Sequence, residues 1–257
     1  MLDDLFRLDN KVAVIIGGRG GIGKGVAEGF IQYGAKVVIA SRNLEELEKI
    51  AKELRESYKA EVSAMQVDVT SEESVKRLRD EVVAKHGTVD ILVNAHGYNA
   101  KAPAVDFPLQ EWDRLFDINV KGTMLTCREF GKVMIEKRRG KIINFSSVRG
   151  IRVTKWPGNL GYCTTKSAVD MITKALAAEW APYNVNVNAI APSWVDTGFS
   201  PSLSDPAKLK VALESIPLGR IATLKDIVGV CIFLASPASD FITGQIIYVD
   251  GGLTLIG

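Results

Sequence analysis

Histidine and cysteine, the side chains that most often hold zinc or form disulfides, are scarce in this sequence. The chain has two histidines, His86 and His96, and three widely spaced cysteines that form no Cys-x-x-Cys pair: Cys127, Cys163 and Cys231. An odd number of distant cysteines indicates neither a disulfide framework nor a zinc knuckle, and two histidines are too few for a histidine-rich metal site. The sequence therefore predicts no metal centre and a reducing, cytoplasmic location.

The sequence also lacks a strong net charge and long hydrophobic segments. Its net charge of +2 gives no electrostatic reason to expect a nucleic acid or a membrane surface as a partner. Residues 1–6 are acidic and have no apolar core, unlike a signal peptide, and the apolar runs are too short to cross a bilayer. No repeat or linker divides the chain, so we expect one soluble globular domain over residues 1–257.

What the sequence does contain is an alternation of short β-branched segments with amphipathic segments of about ten to fifteen residues. The predicted strands span residues 11–16, 36–40, 62–67, 90–93, 141–145, 185–190 and 245–249. Helices are predicted between them, including two separate helices at 109–117 and 120–137. This order is typical of βαβ units and a parallel sheet. Residues 193–216 contain two prolines, so we expect a substrate flap there with a short helix near 206–215.

A glycine cluster lies between the first strand and the first helix: Gly17-Gly18-Arg19-Gly20-Gly21-Ile22-Gly23. Glycine lets the backbone approach a pyrophosphate closely, and a helix N-terminus offers free N–H groups and a partial positive charge. The alternative is an ordinary tight turn, but the cluster opens the first βα unit, which is where dinucleotide-binding loops occur. The loop therefore predicts a dinucleotide cofactor, held by Gly17, Arg19, Gly21, Ile22 and Gly23.

The turn after the second strand distinguishes between the two nicotinamide dinucleotides. An acidic residue there usually binds the ribose hydroxyls of NAD, but this chain has Ser41, Arg42 and Asn43 instead. Arginine matches a 2′-phosphate through charge-assisted, often bidentate hydrogen bonds, and Arg19 lies in the neighbouring glycine loop. These residues predict NADP(H) as the cofactor. The alternative is that Arg42 is a solvated loop residue.

A tyrosine and a lysine share one face of the helix predicted to begin near residue 160. Tyr162 and Lys166 are one helical turn apart, so their side chains are neighbours. A phenol has an ordinary pKa of about 10, and a nearby ammonium lowers that pKa. The pair is therefore suited to move a proton to or from a carbonyl/alcohol couple. Chance supplies the same spacing in many chains, so the pair alone also fits an ordinary helix surface.

Together these motifs resemble those of the short-chain dehydrogenase/reductase family along nearly the whole chain. The matching segments are Gly17-x-x-x-Gly21-Ile22-Gly23, Asp68-Val69, Asn94-Ala95-His96-Gly97, Ile118-Asn119-Val120, Ser146-Ser147, Tyr162-x-x-x-Lys166, Pro192 to Thr197, and Gly244 with Asp250-Gly251-Gly252. The resemblance implies a single Rossmann-type, doubly wound domain, with helices on both faces of a seven-stranded parallel sheet. It also implies a homotetramer.

The resemblance further implies a role for each catalytic position. Tyr162 would be the acid/base, and Lys166 would bind the nicotinamide ribose and lower the pKa of Tyr162. Ser147, or alternatively Ser146, would hold the substrate oxygen. Asn119 would support a proton relay behind Lys166.

Other family positions imply further contacts with the cofactor. Asp68 and Val69 would line the adenine, Asn94 the adenosine ribose, and Val195 and Thr197 the carboxamide. The sequence departs from the family pattern at four positions: Ile16, Gly20, His96 and Ser193. We expect His96 to pack near the cofactor.

The substrate is indicated by charge and by a closer resemblance. Four cations and two tryptophans are expected near the pocket: Lys101, Arg149, Arg152, Lys155, Trp156 and Trp194. A cationic rim suits an anionic substrate, such as a sugar acid or an acyl carrier protein, unless these are solvated loop charges. Residues 40–46 and 107–109 resemble gluconate 5-dehydrogenases.

We therefore expect an NADP(H)-dependent oxidoreductase that interconverts a secondary alcohol and a ketone, on a substrate of the gluconate/5-ketogluconate type. The alternatives are a 3-oxoacyl-acyl-carrier-protein reductase, a general carbonyl reductase, and a catalytically silent dinucleotide-binding scaffold.

Overall fold

The fold is built on a sheet of seven strands, and the computed structural model of the protein describes residues 4–154, 157–198 and 205–256. The strands are β1 (Val12–Ile16), β2 (Lys36–Ser41), β3 (Val62–Gln66), β4 (Ile91–Asn94), β5 (Gly140–Phe145), β6 (Val185–Pro192) and β7 (Ile246–Val249). All neighbouring strands are parallel, in the order β3-β2-β1-β4-β5-β6-β7. The prediction of a seven-stranded parallel sheet is confirmed.

Helices connect the strands and cover the sheet. They are α1 (Gly21–Gln32), α2 (Leu44–Tyr58), α3 (Glu72–His86), α4 (Leu109–Leu115), α5 (Gly122–Glu136), α6 (Leu160–Trp180), α7 (Pro206–Ser215) and α8 (Leu224–Ala235). Short 3₁₀ segments occur at Ala104–Asp106, Val148–Gly150, Ala181–Tyr183 and Pro237–Ser239. Ser71 caps α3, because its hydroxyl accepts a hydrogen bond from the Ser74 N–H at 3.2 Å.

Strand residues point alternately into two hydrophobic cores, one on each face of the sheet. In β1, Ala13 and Ile15 belong to the core that α1, α2 and α8 cover. Val12, Val14 and Ile16 belong to the opposite core, which α3, α5 and α6 cover. Burying one such valine or isoleucine stabilises the fold by about 1.5–3 kcal/mol. Helices on both faces make this a doubly wound, Rossmann-type sheet.

The sequence prediction was wrong about one helix break. It separated two helices near residues 117–120, whereas α4 continues into α5 through a π-helical turn at Phe116–Lys121. A π-turn accommodates one extra residue without ending the helix, so polar residues in this segment did not mark a boundary. Asn119 lies in this turn and is 1% exposed. The irregular turn therefore directs a buried amide toward the interior.

The sheet order fixes where a ligand can bind. The order reverses between β1 and β4, and ligands of open parallel sheets bind outside the carboxyl ends of the strands at such a reversal. The predicted flap follows β6, which ends at Pro192 on this edge of the sheet. Its helix α7 begins after Asp205, which caps it by accepting from the Ala207 N–H at 3.0 Å, and residues 199–204 lie outside the described residues. Within the described ranges, no helix is long and apolar enough to span a membrane.

Candidate active site

The glycine loop joins β1 to α1 and leaves room for a phosphate group. Gly17 has a φ of +89°, and a Cβ there would come within 2.8 Å of the Ala95 backbone, so a larger residue does not fit. Gly20 precedes α1, and neither a side-chain cap nor an acidic residue occupies the first turn of the helix. The free N–H groups and the space beside Gly20 therefore fit a pyrophosphate.

The residues expected at a 2′-phosphate lie together at the end of β2, but only some of them are free to bind it. Arg42 is exposed, and its guanidinium makes no hydrogen bond or salt bridge within the described part of the chain. The Ser41 hydroxyl is buried without a partner. Asn43 caps α2 by accepting from the Glu46 N–H at 3.1 Å. Arg19 donates to Glu46 at 3.0 Å, a carboxylate that the sequence interpretation overlooked.

The positions predicted to contact the adenosine half differ in how their side chains are used. Oδ1 of the Asp68 carboxylate accepts hydrogen bonds from the Thr70 N–H and hydroxyl, at 2.9 and 2.8 Å. Asp68 is half-buried, and its Oδ2 is left available for a ligand. Val69 is 9% exposed. The Asn94 amide instead points into the core, where it donates to Asn144 Oδ1 at 2.9 Å. Any contact between Asn94 and the cofactor would therefore involve the backbone of Asn94.

The residues predicted to contact the carboxamide of the cofactor, Val195 and Thr197, lie on the segment that follows β6. Val195 pairs with Ala222 in an isolated parallel bridge, which anchors the segment that follows β6. Thr197 lies beside the glycine loop, with its side chain 3.6 Å from the position of a Cβ on Gly21. Residues far apart in the sequence thus lie next to each other at the carboxyl ends of β1 and β6.

Three of the four predicted catalytic residues meet beside β5. Ser147 follows this strand, and its hydroxyl is near enough to the Tyr162 phenol to lower the pKa of that phenol; the same hydroxyl donates to the Pro192 carbonyl at 3.5 Å. Lys166 lies one turn along α6, with its Nζ 5.6 Å from the centroid of the Tyr162 ring and 2.7 Å from the Phe145 carbonyl oxygen. Ser146 is directed elsewhere, because its hydroxyl donates to the Lys166 carbonyl at 3.3 Å. Of the two serines, Ser147 is therefore the one that faces the tyrosine.

Asn119 is held on the far side of Lys166 by a pair of opposed backbone contacts. Its amide donates to the Tyr98 carbonyl at 2.8 Å, and its Oδ1 accepts from the Tyr98 N–H at 2.7 Å. The amide also donates to the Thr165 hydroxyl at 3.0 Å. A Cβ on Gly97 would lie 3.7 Å from Asn119 Oδ1 and 3.8 Å from Lys166 Nζ. Tyr98 and Thr165 position Asn119, and the sequence patterns did not single them out.

The pKa values in this cluster differ from the sequence expectation. Burial raises the pKa of Tyr162, and the groups that oppose this rise are the Ser147 hydroxyl and the Arg149 charge, rather than Lys166. Burial also lowers the pKa of Lys166 to about 8, because a charged ammonium is poorly solvated there. The expectation that Lys166 lowers the pKa of Tyr162 is therefore not met, since Lys166 is directed at the Phe145 carbonyl.

His96 packs against α5, close to Lys166. Its Nε2 lies 3.2 Å from the position of a Cβ on Gly122. Burial and the positive charge of Lys166 lower the pKa of His96 to about 4, so the imidazole is neutral at physiological pH. Over the described residues, no three His, Cys, Asp or Glu side chains lie close enough together to hold a metal ion.

The predicted cationic rim separates into residues with different contacts. Arg149 lies near Tyr162, and its guanidinium is 5.6 Å from the centroid of the Trp194 ring. Arg152 turns away and donates to the Leu253 carbonyl. Lys101 is exposed. The two remaining rim residues lie outside the described residues: Lys155 and Trp156.

Comparisons with known proteins agree with this geometry. Residues 17–254 match the profile of a family described as enoyl-(acyl carrier protein) reductase. The chain is 36% identical to a 3-oxoacyl-acyl-carrier-protein reductase of Thermotoga maritima, over 97% of this chain and 100% of the relative. It is also 36% identical to D-threitol dehydrogenase of Mycolicibacterium smegmatis, over 97% of this chain and 95% of the relative.

Among solved structures, the chain is similar to a gluconate 5-dehydrogenase from Burkholderia cenocepacia in complex with NADP and tartrate. The TM-score is 0.95, with 36% identity and full coverage of both chains. The family match spans nearly all of the sequence, and the relatives are matched along almost their full length. The chain therefore belongs to the short-chain dehydrogenase/reductase family of oxidoreductases.

Proposed function

We propose that the protein is an NADP(H)-dependent oxidoreductase that interconverts a secondary alcohol and a ketone. The observation that carries this proposal is the meeting of the Ser147 hydroxyl, the Tyr162 phenol and the Lys166 ammonium beside β5, with Asn119 fixed behind them. Such a group can bind a carbonyl oxygen and move a proton at it. A catalytically silent scaffold has no need of such a matched set.

The glycine loop and the turn after β2 are the proposed cofactor site. The N–H groups at the start of α1 would hold the pyrophosphate, and Ser41, Arg42 and Arg19 would hold the 2′-phosphate. Two observations support NADP(H): the guanidinium of Arg42 has no partner among the described residues, and a similar solved structure contains NADP. Lys166 would bind the nicotinamide ribose. When bound, the cofactor supplies or accepts the hydride.

In the direction of reduction, the Ser147 hydroxyl donates a hydrogen bond to the ketone oxygen and stabilises the negative charge that develops there. The Tyr162 phenol gives its proton to the same oxygen, which becomes the alcohol hydroxyl. The Ser147 hydroxyl and the positive charge of Arg149 favour the phenolate that remains. In the direction of oxidation, the phenolate takes the hydroxyl proton of the substrate.

The proposed substrate is a sugar acid of the gluconate/5-ketogluconate type. The similarity to a gluconate 5-dehydrogenase structure and the cation at Arg149 support this choice. The alternative is a 3-oxoacyl-acyl-carrier-protein reductase, which the similarity to the Thermotoga relative supports. A general carbonyl reductase would accept both kinds of ketone.

The test follows NADPH absorbance with 5-ketogluconate, an acetoacetyl thioester and a panel of neutral ketones. Turnover of 5-ketogluconate at least tenfold more efficient than that of the thioester supports the proposal, and the reverse order supports the alternative. No turnover with any ketone would favour a scaffold.

The proposed proton donor is tested by Tyr162→Phe. We expect this variant to lose about 10²- to 10⁴-fold in turnover while NADPH binding is retained, because the phenol proton is removed and the ring is kept. Tyr183→Phe is the matched control, since Tyr183 is a surface tyrosine, 39% exposed, after α6. Retained turnover in Tyr162→Phe would reject the proposed mechanism.

We further propose that residues 1–257 form one domain, with 193–216 as the substrate flap, in a cytoplasmic homotetramer. The free cysteines support a reducing compartment. Strand β7 lies at the edge of the sheet and Met171 of α6 is 63% exposed, and both features suit contacts between subunits. Light scattering after gel filtration should give the mass of four chains; the mass of one chain would contradict the tetramer.

A further inference from the structure

Arg149 is held next to the proposed reaction centre. It follows Ser147 by two residues, and its backbone N–H donates to the Ser147 hydroxyl oxygen at 3.2 Å. Its guanidinium lies 5.6 Å from the centroid of the Trp194 ring, on the segment that follows β6. The side chain therefore lies between the segment that follows β5 and the segment that follows β6.

One edge of the Arg149 guanidinium is used by the protein and the other is free. Nη1 donates to the Val153 carbonyl at 3.1 Å and to the Arg152 carbonyl at 3.4 Å. Within the described ranges, Nε and Nη2 have no hydrogen-bond partner, and no carboxylate forms a salt bridge with this residue. Because the two carbonyls fix Nη1, the orientation of the free edge is set before any ligand arrives.

Two other arginines of the chain bind carboxylates, whereas Arg149 has no carboxylate partner among the described residues. Arg79 donates to the buried Glu129 carboxylate at 2.9 Å, and Arg220 forms two hydrogen bonds with Asp226 at 2.7 and 2.8 Å. Arg149 is half-buried, so its charge has lost part of its hydration without a carboxylate to replace it. A half-buried cation with a free donor edge is suited to an anion from outside the chain.

We propose that Arg149 binds the carboxylate of the substrate through Nε and Nη2, and thereby makes the enzyme select acids over the corresponding polyols. This inference rests on the proposed function, since it assigns a substrate group to the same pocket. The Nε–Nη2 edge of a guanidinium matches the two oxygens of a carboxylate in one plane. The two backbone carbonyls at Nη1 and the Trp194 ring, whose centroid is 5.6 Å away, limit the positions that the guanidinium can take.

The chemical contrast that tests this inference is gluconate against glucitol. The two compounds differ only in that the carboxylate of gluconate is a CH₂OH group in glucitol, so a residue that recognises the carboxylate affects one substrate and not the other. Both are oxidised with NADP⁺, and kcat and KM are measured separately. Loss of the carboxylate contact in Arg149→Gln should lower kcat/KM for gluconate by about 10- to 100-fold, the range for a hydrogen bond to a charged group, mainly through KM.

Because the Arg149 charge also lowers the pKa of Tyr162, its removal slows the oxidation of both substrates to the same extent. The additional loss on gluconate relative to glucitol, about 10- to 100-fold, is the expected signature of the carboxylate contact. Arg149→Lys should recover part of the gluconate activity, because a lysine supplies the charge without the two-pronged geometry. The matched control is Arg139→Gln. It removes one positive charge from an exposed arginine before β5, at the opposite end of the sheet, and should leave both substrates unchanged. An equal loss on gluconate and glucitol in Arg149→Gln would overturn the inference.

A binding measurement judges the inference even if neither compound is oxidised. Calorimetry with tartrate and the NADP⁺-loaded enzyme should show binding to the wild type that Arg149→Gln weakens at least tenfold. If turnover fails on every ketone and alcohol but this loss is seen, the proposed reaction is wrong and the carboxylate site stands. If turnover is found and tartrate binds both proteins equally, the reaction stands and Arg149 is not the carboxylate ligand.

Discussion

Glu46 is the residue whose replacement most directly tests how the chain chooses its cofactor. Its carboxylate lies 3.0 Å from Arg19 and 3.3 Å from the Asn43 amide, both of which are expected near a 2′-phosphate. Glu46 therefore binds a cation that NADP(H) would use, and its own charge repels the phosphate. We expect Glu46→Gln to strengthen NADPH binding and to leave NADH binding nearly unchanged.

The size of the effect follows from the exposure of the pair. Arg19 and Glu46 are 58% and 45% exposed, so their salt bridge contributes about 0.2–1 kcal/mol. Repulsion between the carboxylate and a phosphate of charge about −2, at a separation of about 8 Å in water, adds roughly 1 kcal/mol before salt screening. Together these terms amount to about 1.2–2 kcal/mol, so the ratio of the NADH to the NADPH dissociation constant should rise about eight- to thirtyfold at low ionic strength.

The assay is a fluorescence titration of each reduced cofactor at low ionic strength. Gln at position 46 keeps the backbone N–H that Asn43 caps, so α2 should remain intact. Glu53→Gln is the matched control, since Glu53 is on the same helix, is 57% exposed and pairs with Lys24 instead. A ratio that is unchanged, or that shifts toward NADH, would refute the assignment of Arg19 to the 2′-phosphate.

Two further predictions concern stability and pH. Glu129 is fully buried among Arg79, Arg128 and Lys132, so Glu129→Gln should reduce the free energy of unfolding by about 3 kcal/mol in urea at pH 7; a loss below 0.5 kcal/mol, as for an exposed pair, would contradict this. These partners hold the pKa of Glu129 below its ordinary 4.5, so the stabilisation is present above that pH and is lost as pH falls through the folded-state pKa. Because burial raises the pKa of Tyr162, alcohol oxidation, which needs the phenolate, should accelerate as pH rises, whereas ketone reduction should stay level near neutrality. Ser147→Ala removes the hydroxyl that lowers this pKa, so it should move the rising limb of the oxidation profile to higher pH; a shift to lower pH would show that the limb does not report Tyr162.

Local sequence patterns were sufficient for the sheet and for most helix boundaries. β-branched runs with glycine turns located each strand to within two residues, because parallel strands buried on both faces must be continuously apolar. The starts of α2 and α3 are likewise set locally, since Asn43 and Ser71 cap these helices through hydrogen bonds to residues three positions along the chain. The helix break at residue 117 was wrong because a π-turn is stabilised by a distant loop, at Tyr98, rather than by its own sequence.

The candidate site shows the same division between what local sequence patterns predict and what contacts between distant residues decide. The sequence by itself determined which residues are available: the glycines of the loop, Tyr162 and Lys166 one helical turn apart, and Arg42 in place of a carboxylate. Only the tertiary structure decided how these residues act, because pKa and binding depend on burial and on neighbours from other strands. It paired Arg19 with Glu46, directed Lys166 to a carbonyl, and left one edge of the Arg149 guanidinium free beside Ser147. Only the contact between Arg149 and Ser147 joins residues close in the sequence. The guanidinium of Arg149 also lies near Trp194, which is distant in the sequence.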